Sequence, residues 1–405
     1  MTSPVEDDSA EASSKLPLCR DMKRARAIAL YLPQFHPIPE NDEWWGKGFT
    51  EWTNVAKARP LFRGHYQPHV PADLGFYDLR VPETREAQAT LARHYGIEGF
   101  CYYHYWFAGR RILERPLNEV VASGAPDFPF CICWANATWT GIWYGAPKRI
   151  LIEQTYPGRA DHEAHFRALL PAFADPRYIR VAGKPLFLIF DPESLPDPTG
   201  TLHLWRSMAT EAGLGGLHIV GMPWSRVWDP AANGFDASAV QPVAPGRVWV
   251  SPRKPLQWLR RRLQVWRRLP VILSYKSYAQ NYMTNATPGD RWYPCVMHGW
   301  DNTPRSGRNG GVLVGATPEL FRRVLEQNIE LLQDRPSERR LLFLKSWNEW
   351  AEGNHLEPDL KFSTGFLQAV GEALGAVPEI RHDNPIVPVR RRDIRDTASV
   401  SSGSR

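Results

Sequence analysis

Short apolar runs recur along the chain, separated by longer stretches whose apolar residues fall at helical spacing. The runs are Ala27–Leu32, Gly99–Trp106, Phe128–Trp134, Pro185–Phe190, Leu217–Gly221, Ala237–Gln241, Trp292–Met297 and Leu341–Ser346. Each is continuously apolar rather than alternating, which is the pattern of a strand covered on both faces, as in a parallel sheet flanked by helices. Helical spacing predicts helices over Pro82–Tyr95, Asp161–Phe173, His203–Ala212, Leu256–Arg268 and Pro318–Asp334, with Asp161 and Thr317 as N-caps. Eight strands alternating with helices predict an α/β fold of the (β/α)8 barrel type. A doubly wound nucleotide-binding sheet fits less well, because no GxGxxG turn follows the first run and no GxxxxGK[ST] loop is present.

The polar residues support the barrel. Gln34, His36, His104, Asn136, Asp191, Gln241, Asp301, Asn302 and Glu349 all fall at or just past the end of an apolar run. In a barrel these ends converge on one face and form a single cleft. After the last run the chain reads Trp347-Asn348-Glu349-Trp350-Ala351-Glu352, then Glu357. Carboxylates held together beside aromatic surfaces are what making or breaking a glycosidic bond requires: one protonates the departing oxygen, the other acts as base or nucleophile. Indole faces stack on the C–H faces of sugar rings. Glu349 and Glu352 are therefore the candidate catalytic pair; the competing reading is a strand end whose acids form salt bridges and whose indoles fill core.

Of 17 tryptophans, Trp44, Trp45, Trp52, Trp106, Trp134, Trp139, Trp300, Trp347 and Trp350 fall in expected loops or at strand exits, where they suggest a binding surface. The segment from Asn41 to Trp52 joins three indoles, glycines and acids, Glu51 among them, in an insertion suited to a lid or sugar platform. At the end of the second run either Tyr103 and Tyr105, or His104 with Tyr102 and Trp106, face the cleft, since alternate strand residues share a face.

Composition bounds the rest. Hydrophobic content of 43% in 405 residues suits one large enzyme domain, expected over residues 25–378, between a disordered leader (1–24) and a basic, Ser-rich tail (379–405). The net charge of +6 is concentrated in Arg253–Arg268 and Arg390–Arg395, with no nucleic-acid-binding motif, so nucleic acid is not an expected partner. The segment Arg253–Arg268 reads as an outer helix with Leu256, Leu259, Leu263 and Trp266 on the sheet; a second reading is peripheral contact with an anionic membrane surface. Five cysteines without paired CxxC spacing argue against a disulfide framework, and Cys131 and Cys133 read as buried thiols on one strand face. No secretory leader or transmembrane stretch is expected, which predicts a cytoplasmic protein, peripheral to the inner membrane on the second reading of the basic helix. The absence of HExxH, EF-hand and DxD patterns predicts no metal and no cofactor.

Several stretches together carry a specific resemblance: Tyr31-Leu32-Pro33-Gln34-Phe35-His36, Trp45–Asn54, His65-Tyr66-Gln67-Pro68, Leu74–Arg80, Phe100–Trp106, Trp134-Ala135-Asn136, Gly299–Arg305 and Trp347–Glu357. On them the chain resembles the WbsX-like, glycoside hydrolase family 99-like proteins, found with enzymes that build bacterial cell-surface polysaccharide such as O antigen. The resemblance implies a (β/α)8 barrel acting on an oligo- or polysaccharide, lipid-linked in some settings. It also implies a retaining, endo-mannosidase-like mechanism. In that mechanism one carboxylate of a Glu-Trp-x-Glu segment deprotonates the sugar 2-hydroxyl and the other serves as acid, then base; the matching positions are Glu349 and Glu352. Substrate contacts are expected from Gln34, His36, Trp45, Glu51, Trp52, Tyr103, His104, Trp106, Trp134, Asn136, Asp191, Gln241, Trp300, Asp301, Asn302, Trp347, Asn348, Trp350 and Glu357. The long Trp44–Trp52 insertion departs from the mannosidases, which leaves hydrolysis or transfer, the sugar and the oligomeric state open. The alternatives are a nucleotide-sugar-dependent glycosyltransferase and a non-catalytic carbohydrate-binding barrel.

Overall fold

The computed structural model describes residues 24–376, apart from 142–145, 283–288 and most of 243–265. The expected leader, tail and most of the basic helix Leu256–Arg268 therefore lie outside the described residues.

Eight parallel strands form the core: β1 (Arg26–Tyr31), β2 (Gly99–Phe107), β3 (Phe130–Trp134), β4 (Lys184–Ile189), β5 (His218–Gly221), β6 (Ala237–Ser238), β7 (Cys295–Val296) and β8 (Leu341–Leu344). Neighbours in sequence are neighbours in space from β1 to β6, and β8 lies between β7 and β1. The register of β1 runs from Ile28 opposite Gly99 to Tyr31 opposite Tyr102 on one side, and from Arg26 opposite Leu341 to Ala29 opposite Leu344 on the other. A parallel bridge from Ser238 to Trp292, just before β7, joins the remaining gap. The sheet thus closes on itself as a (β/α)8 barrel, and each expected strand is present within a few residues of its expected bounds. Strand β6 is shorter than expected. Its continuation bends inward, and the Gln241 amide donates to the Phe190 and Met222 carbonyls.

The strands are apolar on both sides because both are covered. All nine residues of β2 are buried, and Phe343, Ile28, Ile132 and Leu188 are inaccessible to solvent. Outside, amphipathic helices fill the crossovers. The helix Pro318–Glu330 starts where the Thr317 hydroxyl accepts from the Leu320 N–H and Pro318 occupies the first turn. It buries Phe321, Val324, Leu325 and Ile329, a stripe at helical spacing worth about 1.5–3 kcal/mol per side chain. The helix expected from Asp161 begins two residues earlier, at Arg159. Asp161 sits inside its first turn, and its carboxylate accepts from the Trp106 indole at 3.1 Å instead of capping the helix. Cys101, Cys131, Cys133 and Cys295 are free, buried thiols. No described helix is long and apolar enough to cross a membrane.

Candidate active site

At the C-terminal end of the strands lies a cleft of about 530 Å³. Its floor is built by the chain leaving β8. Asn348–Glu349 pairs antiparallel with Asn354–His355, and a single 3-10 turn, Trp350–Glu352, connects them. Gly353 closes this turn at φ +57, with the position of a Cβ only 2.8 Å from Asp301 Cβ and 2.9 Å from its nitrogen. Only glycine meets both demands. The tight hairpin points Glu349 and Glu352 together into the cleft.

The two carboxyl groups are neighbours in the cleft. Glu349 is held up at about 7: burial is the main cause, the Lys345 ammonium opposes it, and the neighbouring Glu352 adds to it. Lys345 itself leaves the apolar end of β8. Burial works against its charge, but Glu349, 3.9 Å away, and Glu352 keep its ammonium above the ordinary range. Glu352 is clamped by Arg305, whose other arm holds the fully buried Glu51, both at 2.5 Å. Glu51 also accepts from the Ala351 N–H, so the Asn41–Trp52 insertion grips the Trp350–Glu352 turn. Two cations thus sit among three carboxylates.

Around this floor the structure brings together Gln34, Trp45, Tyr103, Trp300 and Asn302 from the expected set, joined by Tyr105, Trp139, Phe190, Trp224, Arg305 and Lys345. The Gln34 amide nitrogen, the Tyr103 hydroxyl and the Trp300 indole nitrogen are buried and lack a hydrogen-bond partner among the described residues. Buried polar atoms are rarely left so. In a cleft they are what a hydroxylated ligand satisfies.

Other expected contacts are elsewhere, each for a visible reason. On β2, Tyr103 and Tyr105 take the inner face, which turns His104 and Trp106 outward onto the helix Arg159–Phe173. There the His104 and His165 imidazoles are 2.9 Å apart, and Trp106 stacks on His165. Trp134 is buried against Trp205, and Trp347 against Phe100. Trp52 is wedged among Phe35, Tyr77 and Trp350, its nitrogen donating to the Tyr77 carbonyl. His36 is buried away from the cleft and kept neutral by that burial. Asn136 braces a loop through the Asp191 backbone, Asp191 holds Ser194, and Gln241 clasps two carbonyls. Asn348 bonds both backbone groups of Leu32, tying β8 to β1. Trp350 lies flat on His355, 3.6 Å between ring centres. Asp301 faces a separate small cavity, bonded to His65, Gln67 and Thr303.

Glu357 lies beneath the floor. It accepts from Tyr77 at 2.8 Å, Gln88 at 2.6 Å and Trp350 at 2.6 Å, and burial pushes it up to about 7.

Sequence reasoning missed Arg305 and Lys345 as site residues. Lys345 had a signal: a lysine at the end of a buried strand needs a carboxylate partner. Trp139, Thr140 and Leu151 come from a hairpin, Trp139–Gly141 with Ala146–Ile152, that reaches over the cleft after β3.

A family model described as glycosyltransferase WbsX matches residues 27–370. Two curated relatives, both uncharacterised proteins called WxcX from strains of Xanthomonas campestris pv. campestris, are 40% and 39% identical over 358 residues, 88% of this chain. The chain spans about half the length of these relatives. Among solved structures, a glycoside hydrolase-like protein superposes with a TM-score of 0.54 at 14% identity, covering 86% of this chain and 94% of that one. An endo-α-mannosidase of glycoside hydrolase family 99 from Bacteroides thetaiotaomicron, in complex with bis-tris-propane, superposes with a TM-score of 0.50 at 14% identity, covering 88% and 97%. These two similarities concern the fold.

Proposed function

Because the chain belongs to the glycosyltransferase WbsX family, we propose that it is a carbohydrate-active enzyme that makes or cleaves glycosidic bonds in cell-surface polysaccharide, with Glu349 and Glu352 as its catalytic pair. The observation that carries this reading is the pair of neighbouring carboxyl groups on the floor of an aromatic cleft, with Glu349 held near neutrality. A carboxyl group held near neutrality beside a second one supplies, between them, an acid for the departing glycosidic oxygen and a base for the attacking hydroxyl in the same complex. Trp45, Trp139 and Trp300 offer faces for sugar rings, and Gln34, Tyr103 and Trp300 offer polar atoms for their hydroxyls. The glycan would lie across the strand ends, with one glycosidic oxygen above the Glu349–Glu352 pair. Water or a second sugar hydroxyl then receives the glycosyl group in the same geometry.

A preformed glycan fits this cleft better than a nucleotide sugar. A diphosphate needs uncommitted positive charge or a cation, whereas Arg305 is engaged by two carboxylates and Lys345 faces Glu349. Calorimetric titration separates the two donors. Surface-polysaccharide fragments are expected to bind, and nucleotide sugars are expected to bind weakly or not at all, with or without magnesium or manganese. Micromolar binding of any nucleotide sugar would reverse the reading in favour of a nucleotide-sugar transferase.

A further inference from the structure

A second cavity, of about 110 Å³, lies beside the catalytic hairpin, on the far side of Trp300 and Gly353. Three residues converge on it. His69 comes from the insertion after β1, and His355 and Asp359 come from the chain after β8. One ring nitrogen from each histidine and one carboxylate oxygen lie within 4.8 Å of one another.

The hydrogen bonds around this group settle its protons. His355 Nδ1 lies 2.9 Å from the Glu357 carbonyl, which can only accept, so Nδ1 carries the hydrogen and Nε2 presents a lone pair to the cavity. His69 Nδ1, 2.8 Å from that Nε2, must be the donor between the rings. A ring nitrogen oriented by a carbonyl on its other nitrogen is the usual second shell of a metal-ligating histidine.

The rest of the frame is rigid. Trp350 stacks flat on His355, and Tyr66 stacks on His69 with ring centres 4.4 Å apart. One Asp359 oxygen accepts from the Lys361 and Phe362 backbone N–H groups. The Ala72 N–H to Pro358 carbonyl bond and the Leu360 N–H to Val70 carbonyl bond clasp the two chain segments together. His298 lines the same cavity, 4% exposed, with Nδ1 unpartnered among the described residues. The mouth is open, because Lys361 and the partly buried His69 reach solvent. Asp301 and Asp359 set two carboxylates against the one ammonium of Lys361.

We propose that His69, His355 and Asp359 form a structural site for a divalent transition-metal ion of the zinc class, which pins the hairpin carrying Glu349 and Glu352 to the insertion after β1. Two imidazoles and one carboxylate suit zinc better than magnesium or calcium, which prefer all-oxygen shells. Tetrahedral zinc at bonds of about 2.0–2.1 Å places two nitrogens about 3.3 Å apart, so the rings need to part by only a few tenths of an ångström. His69 moves its hydrogen from Nδ1 to Nε2, and the ion takes the place of that hydrogen between the rings. The site does not depend on which bond the enzyme makes or cleaves.

The test uses the untagged full chain, equilibrated with zinc, desalted and assayed for bound metal. About one zinc per chain is expected, with a rise in Tm of several degrees on zinc addition at saturating concentration. His69→Gln and Asp359→Asn are expected to abolish both. The proposal is overturned if the wild type retains no zinc above the buffer blank, or if folded variants retain as much as the wild type. Should neither variant fold, cobalt added to the wild type decides the matter. Visible d–d bands of a low-coordinate nitrogen-ligated ion support the site, and their absence overturns it.

Discussion

Glu349 and Glu357 lie eight residues apart on the same excursion from β8; both are buried, and both are pushed up to about 7 mainly by that burial. They differ in what surrounds them. Glu357 is saturated by Tyr77, Gln88 and Trp350, and it touches no cleft. Glu349 neighbours Glu352, lies 3.9 Å from Lys345, and keeps one oxygen without a hydrogen-bond partner in the cleft. A displaced carboxyl pKa therefore does not by itself mark a catalyst. A saturated buried acid is scaffolding, which here orients the indole beneath the floor. An unsaturated one beside a second acid has capacity left for a substrate.

The sharpest way to break this contrast is at the pair itself. Glu349→Gln and Glu352→Gln are each expected to lower turnover by about a hundredfold or more. Turnover of the wild type should fall as pH rises through about 7, as Glu349 loses its proton. Wild-type rates for both variants on a verified glycan would end the assignment.

At Glu357 the expected effect is on stability. Its folded-state value near 7 against an ordinary 4.5 means the native state holds a proton that the unfolded chain has released between those pH values. Stability from this group is therefore present below about pH 4.5 and lost as pH rises to 7, by about 3 kcal/mol. Denaturant unfolding of the wild type and Glu357→Gln at pH 5 and pH 8 should show the variant gaining on the wild type by roughly that amount at the higher pH. Turnover should change less than tenfold; a hundredfold loss with unaltered stability would erase the distinction between the two acids.

The smallest effect is expected at the cleft wall. Tyr103→Phe removes a hydroxyl that has no partner among the described residues, so Tm should hold or rise. If a sugar hydroxyl normally meets it, KM should increase about fivefold with kcat little altered. An unchanged KM would show that Tyr103 bounds the cleft without binding glycan.

The barrel was legible because its cause is local. Continuous apolar runs such as Gly99–Trp106 and Leu341–Ser346 have no stable arrangement except a sheet covered on both sides, and the intervening stripes, such as Phe321, Val324, Leu325 and Ile329, supply the cover. The Glu349–Glu352 spacing was legible in the same way. Which indoles face the cleft was not. Trp106 and Tyr105 are adjacent in sequence, yet one packs on His165 outside the sheet and the other lines the cleft. The face is chosen by the register of β2 against β1 and β3, and a shift of one residue would exchange them.

The sequence by itself determined the strand and helix order and the segment that carries the two acids, because these follow from periodicity and from residues three positions apart on one turn. Only the tertiary structure decided that Arg305 bridges Glu51 and Glu352, that Glu357 is sealed beneath the floor, and that His69 meets His355 and Asp359. Several of those contacts join residues far apart in the chain, 254 positions between Glu51 and Arg305 and 286 between His69 and His355. Their geometry exists only once the ring has closed and brought the insertion after β1 against the chain leaving β8.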